Sequence, residues 1–204
     1  MRLSLIALLV AGAFAETVAL EKRATAWPTR LFAPYCDVLL WPTFDTAASG
    51  AKTGAYYYHL AFVTANSAGE PAWGSSVGMD QNWYGEMLTK LRNAGGDAII
   101  SFGGAIGTDL ALYWTDVNTI AAKYQQVITQ YGLSRVDFDV EGHAAEDSAS
   151  IDRRNKAIVI LKRNNPGLHV SYTLAVFPGG LATSGLNIIK NAVSNGAKID
   201  SNFK

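Results

Sequence analysis

The feature that most constrains the fold is a stretch at residues 136–142 in which apolar and acidic side chains alternate. A period of two residues is typical of a β-strand, because successive side chains point to opposite faces of a sheet. One face of this strand is apolar, and the other carries Asp137, Asp139 and Glu141. Successive carboxylates on one face stand roughly 6 to 7 Å apart at the rise of a strand. We therefore expect repulsion to raise the pKa of at least one of them, which indicates chemistry rather than stability.

Two other interpretations of these residues remain open. Alternating acids followed by glycine are similar to the first half of a calcium-binding loop, although Ser148 would stand where such a loop needs a bidentate acid. A solvated edge strand with acids on its wet face is the second alternative.

The only cysteine, Cys36, lies in an apolar stretch and is expected to be a buried thiol. One cysteine and three histidines are too few to form a zinc site with any of the usual ligand spacings, so no zinc site is expected.

Strands and helices alternate along the rest of the chain. The pattern predicts strands at residues 31–40, 55–64, 97–102, 136–141, 168–175 and 198–204, and helices at 44–52, 80–94, 116–131, 148–164 and 183–195. Residues 65–78 are predicted to be a loop because they are rich in Gly, Ser and Pro. This order indicates an α/β fold with a parallel sheet, either doubly wound or closed into a barrel. The acids and Gly103-Gly104 lie at the carboxyl ends of strands, where barrel enzymes hold their catalytic groups.

The acidic stretch resembles the catalytic signature of glycoside hydrolase family 18, the chitinases, whose pattern is Asp-x-x-Asp-x-Asp-x-Glu. Asp137, Asp139 and Glu141 match its last three acidic positions, and Ser134 stands at the first. A second motif of the family, Ser-x-Gly-Gly, matches residues 101–104. The resemblance extends from about residue 31 to about residue 202 and implies a (β/α)8 barrel of the TIM type. About five and a half β/α units are present, so an incomplete barrel, truncated at its C-terminal end, is expected.

The resemblance also implies a reaction and a role for each motif residue. In this family the acetamido oxygen of the substrate attacks the anomeric carbon, and the configuration is retained. Glu141 would be the general acid and then the base, and Asp139 would orient the acetamido group. Asp137 would share a proton with Asp139, helped by Ser101 from the neighbouring strand.

Other residues are candidates for binding the substrate. Trp41, after the first strand, and Trp73, in the following loop, are interpreted as platforms on which sugar rings stack. Core packing is the alternative for Trp41, and a lid contact is the alternative for Trp73. Tyr172 on the fifth strand either lines the cleft or packs in the core. Gly103 and Gly104 would let the backbone approach the cleft closely.

The function expected from the resemblance is a chitinase that hydrolyses β-1,4-linked N-acetylglucosamine polymers. The alternatives are a chitin-binding lectin that has lost catalysis and an endo-β-N-acetylglucosaminidase acting on N-glycans. The expected partners are chitin or N-acetylglucosamine oligosaccharides, with no cofactor and no metal, and the protein is expected to be a monomer. Basic and acidic residues number 17 each, so no net charge attracts nucleic acid or an anionic membrane.

The first 15 residues are typical of a secretory signal peptide. Arg2 precedes an apolar run, and residues 13–15 have the small-x-small form of a cleavage site. Lys22-Arg23 is a dibasic pair at which a processing protease could cut, so residues 16–23 are a candidate propeptide; two solvated charges are the alternative. Residues 24–204 would then form the partial catalytic domain of a secreted, extracellular protein.

Overall fold

The computed structural model describes residues 27–203, and both the predicted signal peptide and the Lys22-Arg23 pair lie outside these residues. The strands are β1 (Tyr35–Asp37), β2 (Tyr57–Ala65), β3 (Pro71–Trp73), β4 (Val77–Gly78), β5 (Asp97–Gly103), β6 (Arg135–Asp139), β7 (His169–Thr173), β8 (Val176–Phe177), β9 (Gly180–Leu181) and β10 (Ser201–Phe203). The α-helices are α1 (Thr46–Thr53), α2 (Gly85–Asn93), α3 (Leu110–Tyr113), α4 (Val117–Tyr131), α5 (Ser148–Asn164) and α6 (Thr183–Ser194). Short 3-10 helices cover Met79–Gln81 and Gly142–Ala145. Among residues 27–203, none of the helices combines the length and the hydrophobicity that crossing a bilayer requires.

Six of the strands are parallel and lie side by side in chain order, as β1–β2–β5–β6–β7–β10. This order confirms the parallel sheet that the alternation of strands and helices predicts. β3 and β4 extend the sheet as antiparallel partners next to β2, and β8 and β9 form a separate hairpin. The prediction of a loop at residues 65–78 is therefore wrong. The small residues Gly74 and Ser75, both with positive φ, form the turn of a hairpin there.

The parallel sheet is strongly curved. β1 and β7 are four strand positions apart, which corresponds to roughly 19 Å along a sheet with about 4.8 Å between strands. The hydroxyl groups of Tyr35 on β1 and Thr173 on β7 nevertheless lie 2.7 Å apart. Side chains from distant strands thus meet inside the curve, as they do in the interior of a barrel. The fold is an α/β barrel of the TIM type, of which six parallel strands are described.

The hydrophobic core lies between the outer face of the sheet and the helices. The ring of Phe138 on β6 stacks on Phe102 of β5, with 5.4 Å between the ring centroids. It also meets Tyr124 of α4 edge to face at 5.0 Å. The apolar face of the acidic strand therefore packs against a helix, which leaves the acids for the inside of the barrel.

Helix boundaries follow the capping signals of the sequence. The Asp116 carboxylate accepts a hydrogen bond from the Thr119 amide at the start of α4, and Gly132 ends the helix with a φ of 57°. The helix predicted at residues 80–94 is interrupted, because Asn82 and Tyr84 both adopt a positive φ before α2 begins. The first strand is also shorter than predicted, at Tyr35–Asp37.

Candidate active site

The acidic strand β6 lies in the middle of the parallel sheet, hydrogen-bonded to β5 on one side and β7 on the other. Asp137 is fully buried and Asp139 is 5% exposed, whereas Glu141, two residues beyond the strand, is exposed. A solvated edge strand is excluded because β6 has a partner on each side. A calcium loop does not fit either, because Asp137 and Asp139 lie within a strand. The acids therefore run from the barrel interior to its mouth.

Four hydroxyl groups surround the carboxylate of Asp137. Its Oδ2 accepts hydrogen bonds from Ser101 and Tyr35, both at 2.9 Å, and from Thr173 at 3.1 Å. Its Oδ1 accepts a hydrogen bond from Ser171 at 2.7 Å. Hydrogen bonds of this kind stabilise a buried charge without a basic partner. The site thus holds Asp137 as a fixed acceptor at the floor of the acidic row.

The strand registers explain how these hydroxyls converge. Ser101 on β5 and Ser171 on β7 lie directly opposite Asp137, so all three side chains share the inner face. Tyr35 reaches the same point from β1 across the interior, and its ring stacks on His59 at 4.7 Å. Burial, followed by the charge of Asp137, raises the pKa of Tyr35 well above its usual range. Tyr35 therefore keeps its proton and remains a donor.

Asp139 holds a proton at neutral pH. Its pKa is raised to about 8 by burial, which is the largest cause, together with the charge of Glu141, the hydrogen bond shared with Glu141 and the charge of Asp137. The expectation that repulsion raises the pKa of one acid in the row is met at Asp139, although burial is the larger cause. A proton shared between Asp137 and Asp139 stays a prediction; the structure places Asp139 beside Glu141 as well, and it surrounds Asp137 with hydroxyl groups.

Glu141 opens onto a cleft at the carboxyl ends of β5 and β6. The cleft has a volume of about 510 Å³ including its open mouth, and its lining includes Thr64, Asp109, Asp139 and Glu141. Gly142 follows with a φ of 52° and begins the 3-10 helix that brings His143 to the same cleft. A solute entering the cleft therefore meets the exposed carboxyl group of Glu141 first and the buried acids behind it.

Gly103 and Gly104 form the wall of the cleft beside Asp139, as predicted from their position in the sequence. Gly103 has a φ of 102°, and a Cβ atom there would lie 2.2 Å from the carbonyl oxygen of Asp139. The amide of Gly104 donates a hydrogen bond to that same oxygen at 2.9 Å. The two glycines are thus needed for the end of β5 to approach the end of β6.

The structure separates the three aromatic candidates. Trp41 is 90% exposed beyond the carboxyl end of β1, so core packing is wrong for it and a role as a sugar platform stays a prediction. The prediction for Trp73 is wrong, since this residue is fully buried and its indole N–H donates to the Tyr131 hydroxyl at 3.0 Å. The placement of Tyr172 in the cleft is also wrong. It lies opposite Phe138 on the helix-facing side and is fully buried.

Four residues of the site were missed in the sequence, namely Tyr35, Asp109, Ser171 and Thr173. Ser171 and Thr173 alternate on the fifth predicted strand with the same period of two as the acids, and that pattern could have revealed them. Tyr35 and Asp109 depend on contacts across the barrel and from a loop. The local sequence gives no signal for either.

A buried acid, a protonated acid and an exposed glutamate, all from one strand at the mouth of a β/α barrel, define a class of protein. This is the arrangement of a barrel glycosidase, in which carboxyl groups transfer a proton to the leaving oxygen.

Comparison with known proteins agrees with this class. The chain is 33% identical over 190 residues to a probable bifunctional chitinase/lysozyme of Escherichia coli, a match that covers 90% of this chain and 21% of that protein. It is 31% identical over 188 residues to endochitinase 11 of Metarhizium anisopliae, covering 90% of this chain and 35% of the relative. No protein-family model matches the sequence.

The fold is also similar to that of a solved chitinase. The crystal structure of active domain 2 of the thermostable chitinase from Pyrococcus furiosus, complexed with chito-oligosaccharides, superimposes with a TM-score of 0.80 at 31% identity. The match covers 89% of this chain and 58% of that one, so the chain spans little more than half of the solved domain. These similarities support the resemblance to the chitinases of glycoside hydrolase family 18 that the acidic signature indicates.

Proposed function

We propose that the protein is a secreted chitinase that hydrolyses β-1,4-linked N-acetylglucosamine polymers with retention of configuration. The observation that carries the proposal is the pairing of the exposed Glu141 with a protonated Asp139 at the mouth of the cleft. The names of the relatives in Escherichia coli and Metarhizium anisopliae and the oligosaccharide complex of the Pyrococcus furiosus domain support the same substrate class.

The proposed reaction begins with the proton that Asp139 and Glu141 share. Because the pKa of Asp139 is about 8, the pair keeps one proton at neutral pH, and coupled groups of this kind titrate as a unit. Glu141 gives this proton to the glycosidic oxygen as the bond to the anomeric carbon breaks. The acetamido oxygen of the substrate forms the new bond to that carbon, and Asp139, now ionised, stabilises the positive charge on the acetamido group.

The second half of the reaction restores the enzyme. Glu141, now a carboxylate, takes a proton from water while the water oxygen attacks the anomeric carbon and displaces the acetamido oxygen. Asp137 lies behind Asp139, and its carboxylate is held in place by the hydroxyl groups of Tyr35, Ser101, Ser171 and Thr173.

Glu141→Gln tests the proposal most directly. The variant should lose hydrolysis of a chitin oligosaccharide by at least about a thousandfold, because the amide supplies neither the proton nor the base. Its thermal unfolding should stay close to that of the parent protein, since Glu141 is exposed. Glu146→Gln is the matched control, as Glu146 is also exposed and follows the 3-10 helix at the cleft. Normal turnover by Glu141→Gln would contradict the assignment.

The same assay separates the alternative functions. A chitin-binding lectin would be retained on chitin beads without releasing sugar, whereas an endo-β-N-acetylglucosaminidase would cleave a glycoprotein N-glycan faster than a chitin oligosaccharide. Chitin hydrolysis by the parent protein that depends on Glu141 would exclude the lectin.

The proposal of secretion has its own test. It is supported by the signal-peptide pattern of residues 1–15. Sequencing the N-terminus of the protein recovered from the culture medium should give a start after Ala15 or, if the dibasic pair is cut, at Ala24. Recovery of the protein only inside cells, with Met1 retained, would contradict secretion.

A further inference from the structure

Asp109 lines the cleft together with Asp139 and Glu141 but has no part in the proposed reaction. It is 6% exposed, and its Oδ1 accepts a hydrogen bond from the Ala111 amide at 2.7 Å. Its Oδ2 lies on the side of Gly103, 3.8 Å from the position that a Cβ atom on that residue would occupy. One oxygen of the carboxylate therefore anchors the start of α3, and the other remains on the cleft side.

A buried arginine contacts Asp109 from behind. Arg154 on α5 is fully buried, and its Nη2 lies 3.2 Å from Oδ1 of Asp109. Burial lowers the pKa of Arg154, but the charge of Asp109, with smaller contributions from the nearby Tyr124 and Tyr172 and from the contact of the guanidinium group with the Asp109 carboxylate, raises it above the usual range. The guanidinium group therefore stays charged and fixes the carboxylate beside it.

Burying the ion pair of Arg154 and Asp109 costs free energy. Among the ion pairs of the described chain, only that of Arg154 and Asp109 has both side chains almost completely buried. Nε, Nη1 and Nη2 of Arg154 make no hydrogen bond of normal geometry within the described residues. Apolar residues of similar volume would commonly stabilise a fold as well as a buried ion pair does. This cost favours a function for the pair.

Arg153, next to Arg154 on α5, binds the start of α3 at a second point. Arg153 donates two hydrogen bonds to the carbonyl oxygen of Ala111, from Nε at 3.1 Å and from Nη2 at 2.9 Å. Two consecutive arginines of α5 thus bind α3 at Asp109 and at Ala111. The wall of the cleft that carries Asp109 is thereby fixed to α5, and α5 is in turn linked to β7 by the hydrogen bond from the Tyr172 hydroxyl to Oδ1 of Asn155 at 2.6 Å.

We propose that Asp109 is a substrate-binding carboxylate of the cleft and that Arg154 is the positioning residue that holds it in place. The inference rests on the proposed function, since it concerns how the same cleft binds its saccharide. The free side of Asp109 accepts a hydrogen bond from a donor on the sugar, either a hydroxyl group or the ammonium group of a deacetylated glucosamine unit. Among the described residues that line the cleft, the acids are Asp109, Asp139 and Glu141, and none is a lysine or arginine. The cleft therefore selects neutral or amino-bearing saccharides.

Asp109→Asn is the decisive variant, because the amide keeps the shape of the side chain and removes its charge. On a fully acetylated chitin oligosaccharide it should raise KM about tenfold and leave kcat within about twofold, as expected when uniform binding is lost. On an oligosaccharide containing glucosamine units, KM should rise further. An unchanged KM on both substrates would overturn the proposal.

The role of Arg154 is tested with the variants Arg154→Met and Arg154→Lys. Arg154→Met should raise KM as Asp109→Asn does, and the double variant should be no worse than either single variant, because both changes remove one unit. Arg154→Lys should restore most of the affinity, since a single nitrogen contacts Asp109. Arg92→Met, which breaks the partly exposed pair with Asp97, is the control and should leave KM unchanged. Independent, additive effects of Asp109→Asn and Arg154→Met on KM would show that Arg154 does not act through Asp109.

A calorimetric titration keeps this inference distinct from the proposed function. If the parent protein hydrolyses chitin oligosaccharides and Asp109→Asn binds them equally well, the inference about Asp109 fails alone. If the parent binds but does not hydrolyse, the proposed function fails, and a roughly tenfold weaker binding by Asp109→Asn still supports the inference. If the parent neither binds nor hydrolyses, both fail.

Discussion

Asp137 and Asp139 lie two residues apart on one face of β6, but their hydrogen-bond partners differ. Asp137 accepts hydrogen bonds from hydroxyl groups on the two strands next to β6 and from Tyr35 on β1 across the interior. Asp139 has an acid for a partner, and burial with that acid's charge raises its pKa to about 8. Two identical side chains on one strand therefore lie in different surroundings, one among hydroxyl donors and one beside another acid.

The raised pKa of Asp139 makes stability depend on pH. Folding favours the protonated form, so this contribution to stability is fully present below about pH 4 and is lost as the pH rises toward 8. We expect a loss on the order of 5 kcal/mol over that range, since the pKa shift is about four units and one unit corresponds to about 1.4 kcal/mol. Urea unfolding at several pH values should show a flatter profile for Asp139→Asn. Asp152→Asn, at a carboxylate whose pKa is lowered, should keep the steep profile of the parent.

Ser171 can be tested as a donor to Asp137. Ser171→Ala removes the hydrogen bond to Oδ1 and leaves the other three donors, so we expect a loss of about 1 to 3 kcal/mol in the free energy of unfolding. Activity should fall as well, because Asp137 is held less firmly behind Asp139 once one of its donors is lost. Ser194→Ala, at a hydroxyl exposed on α6, is the control for both measurements. Equal stability in the two variants would contradict the role of Ser171.

At the scale of single residues, the sequence predicted those that belong to contiguous motifs. Asp137, Asp139, Glu141 and Ser101 all lie where the motifs place them. Tyr35 was out of reach because its contact with Asp137 joins residues 102 positions apart, and no local pattern encodes such a distance. The sequence predicted that one of the three acids of β6 would have a raised pKa, but not that this acid would be Asp139.

Among the elements, the long helices and the central strands could be predicted from the periodicity of the sequence. Which face of a strand points toward the helices could be assigned only from the strand register. The helix at residues 148–164 is observed as α5 with the predicted bounds. Tyr172 could be assigned to the outer face only once β7 was known to place it opposite Phe138. The hairpin of β3 and β4 was missed because strands of two or three residues are too short to show a period.

The approach of β5 to β6 gives a prediction about these two elements. Gly103→Ala should abolish activity and lower stability, because a Cβ atom would lie 2.2 Å from the Asp139 carbonyl oxygen at a φ of 102°. Gly167→Ala is the matched control, since a Cβ atom there meets nothing within 4 Å. Thermal unfolding and chitin hydrolysis should both distinguish the two variants. Full activity in Gly103→Ala would show that the wall of the cleft can move away from β6.

At the scale of the whole molecule, the chain has no net charge and its cleft carries acids without lysine or arginine in the described lining. Binding of a neutral oligosaccharide should therefore depend little on salt. We expect KM for a fully acetylated substrate to change less than about twofold between about 0.05 and 0.5 M NaCl. An oligosaccharide bearing carboxylates should bind more weakly, and salt should reduce the difference. A strong salt dependence with the neutral substrate would contradict this description of the cleft.

The parallel sheet was predictable from the repeated units, because each strand and helix pair must bury its own apolar faces against the next, whereas the barrel was implied only by the family resemblance. The curvature was not predictable in the same way. It is a property of how all the strands pack together, and it becomes visible only in the contact between Tyr35 on β1 and Thr173 on β7.

That contact has a consequence for the order of folding. Tyr35 and Thr173 are 138 positions apart, and contacts between residues so distant in sequence form slowly, since a large loop must close first. In a refolding experiment, helix content should return early and the ability to cleave a sugar chain late. The time at which catalytic activity returns would then report when β1 and β7 come into contact.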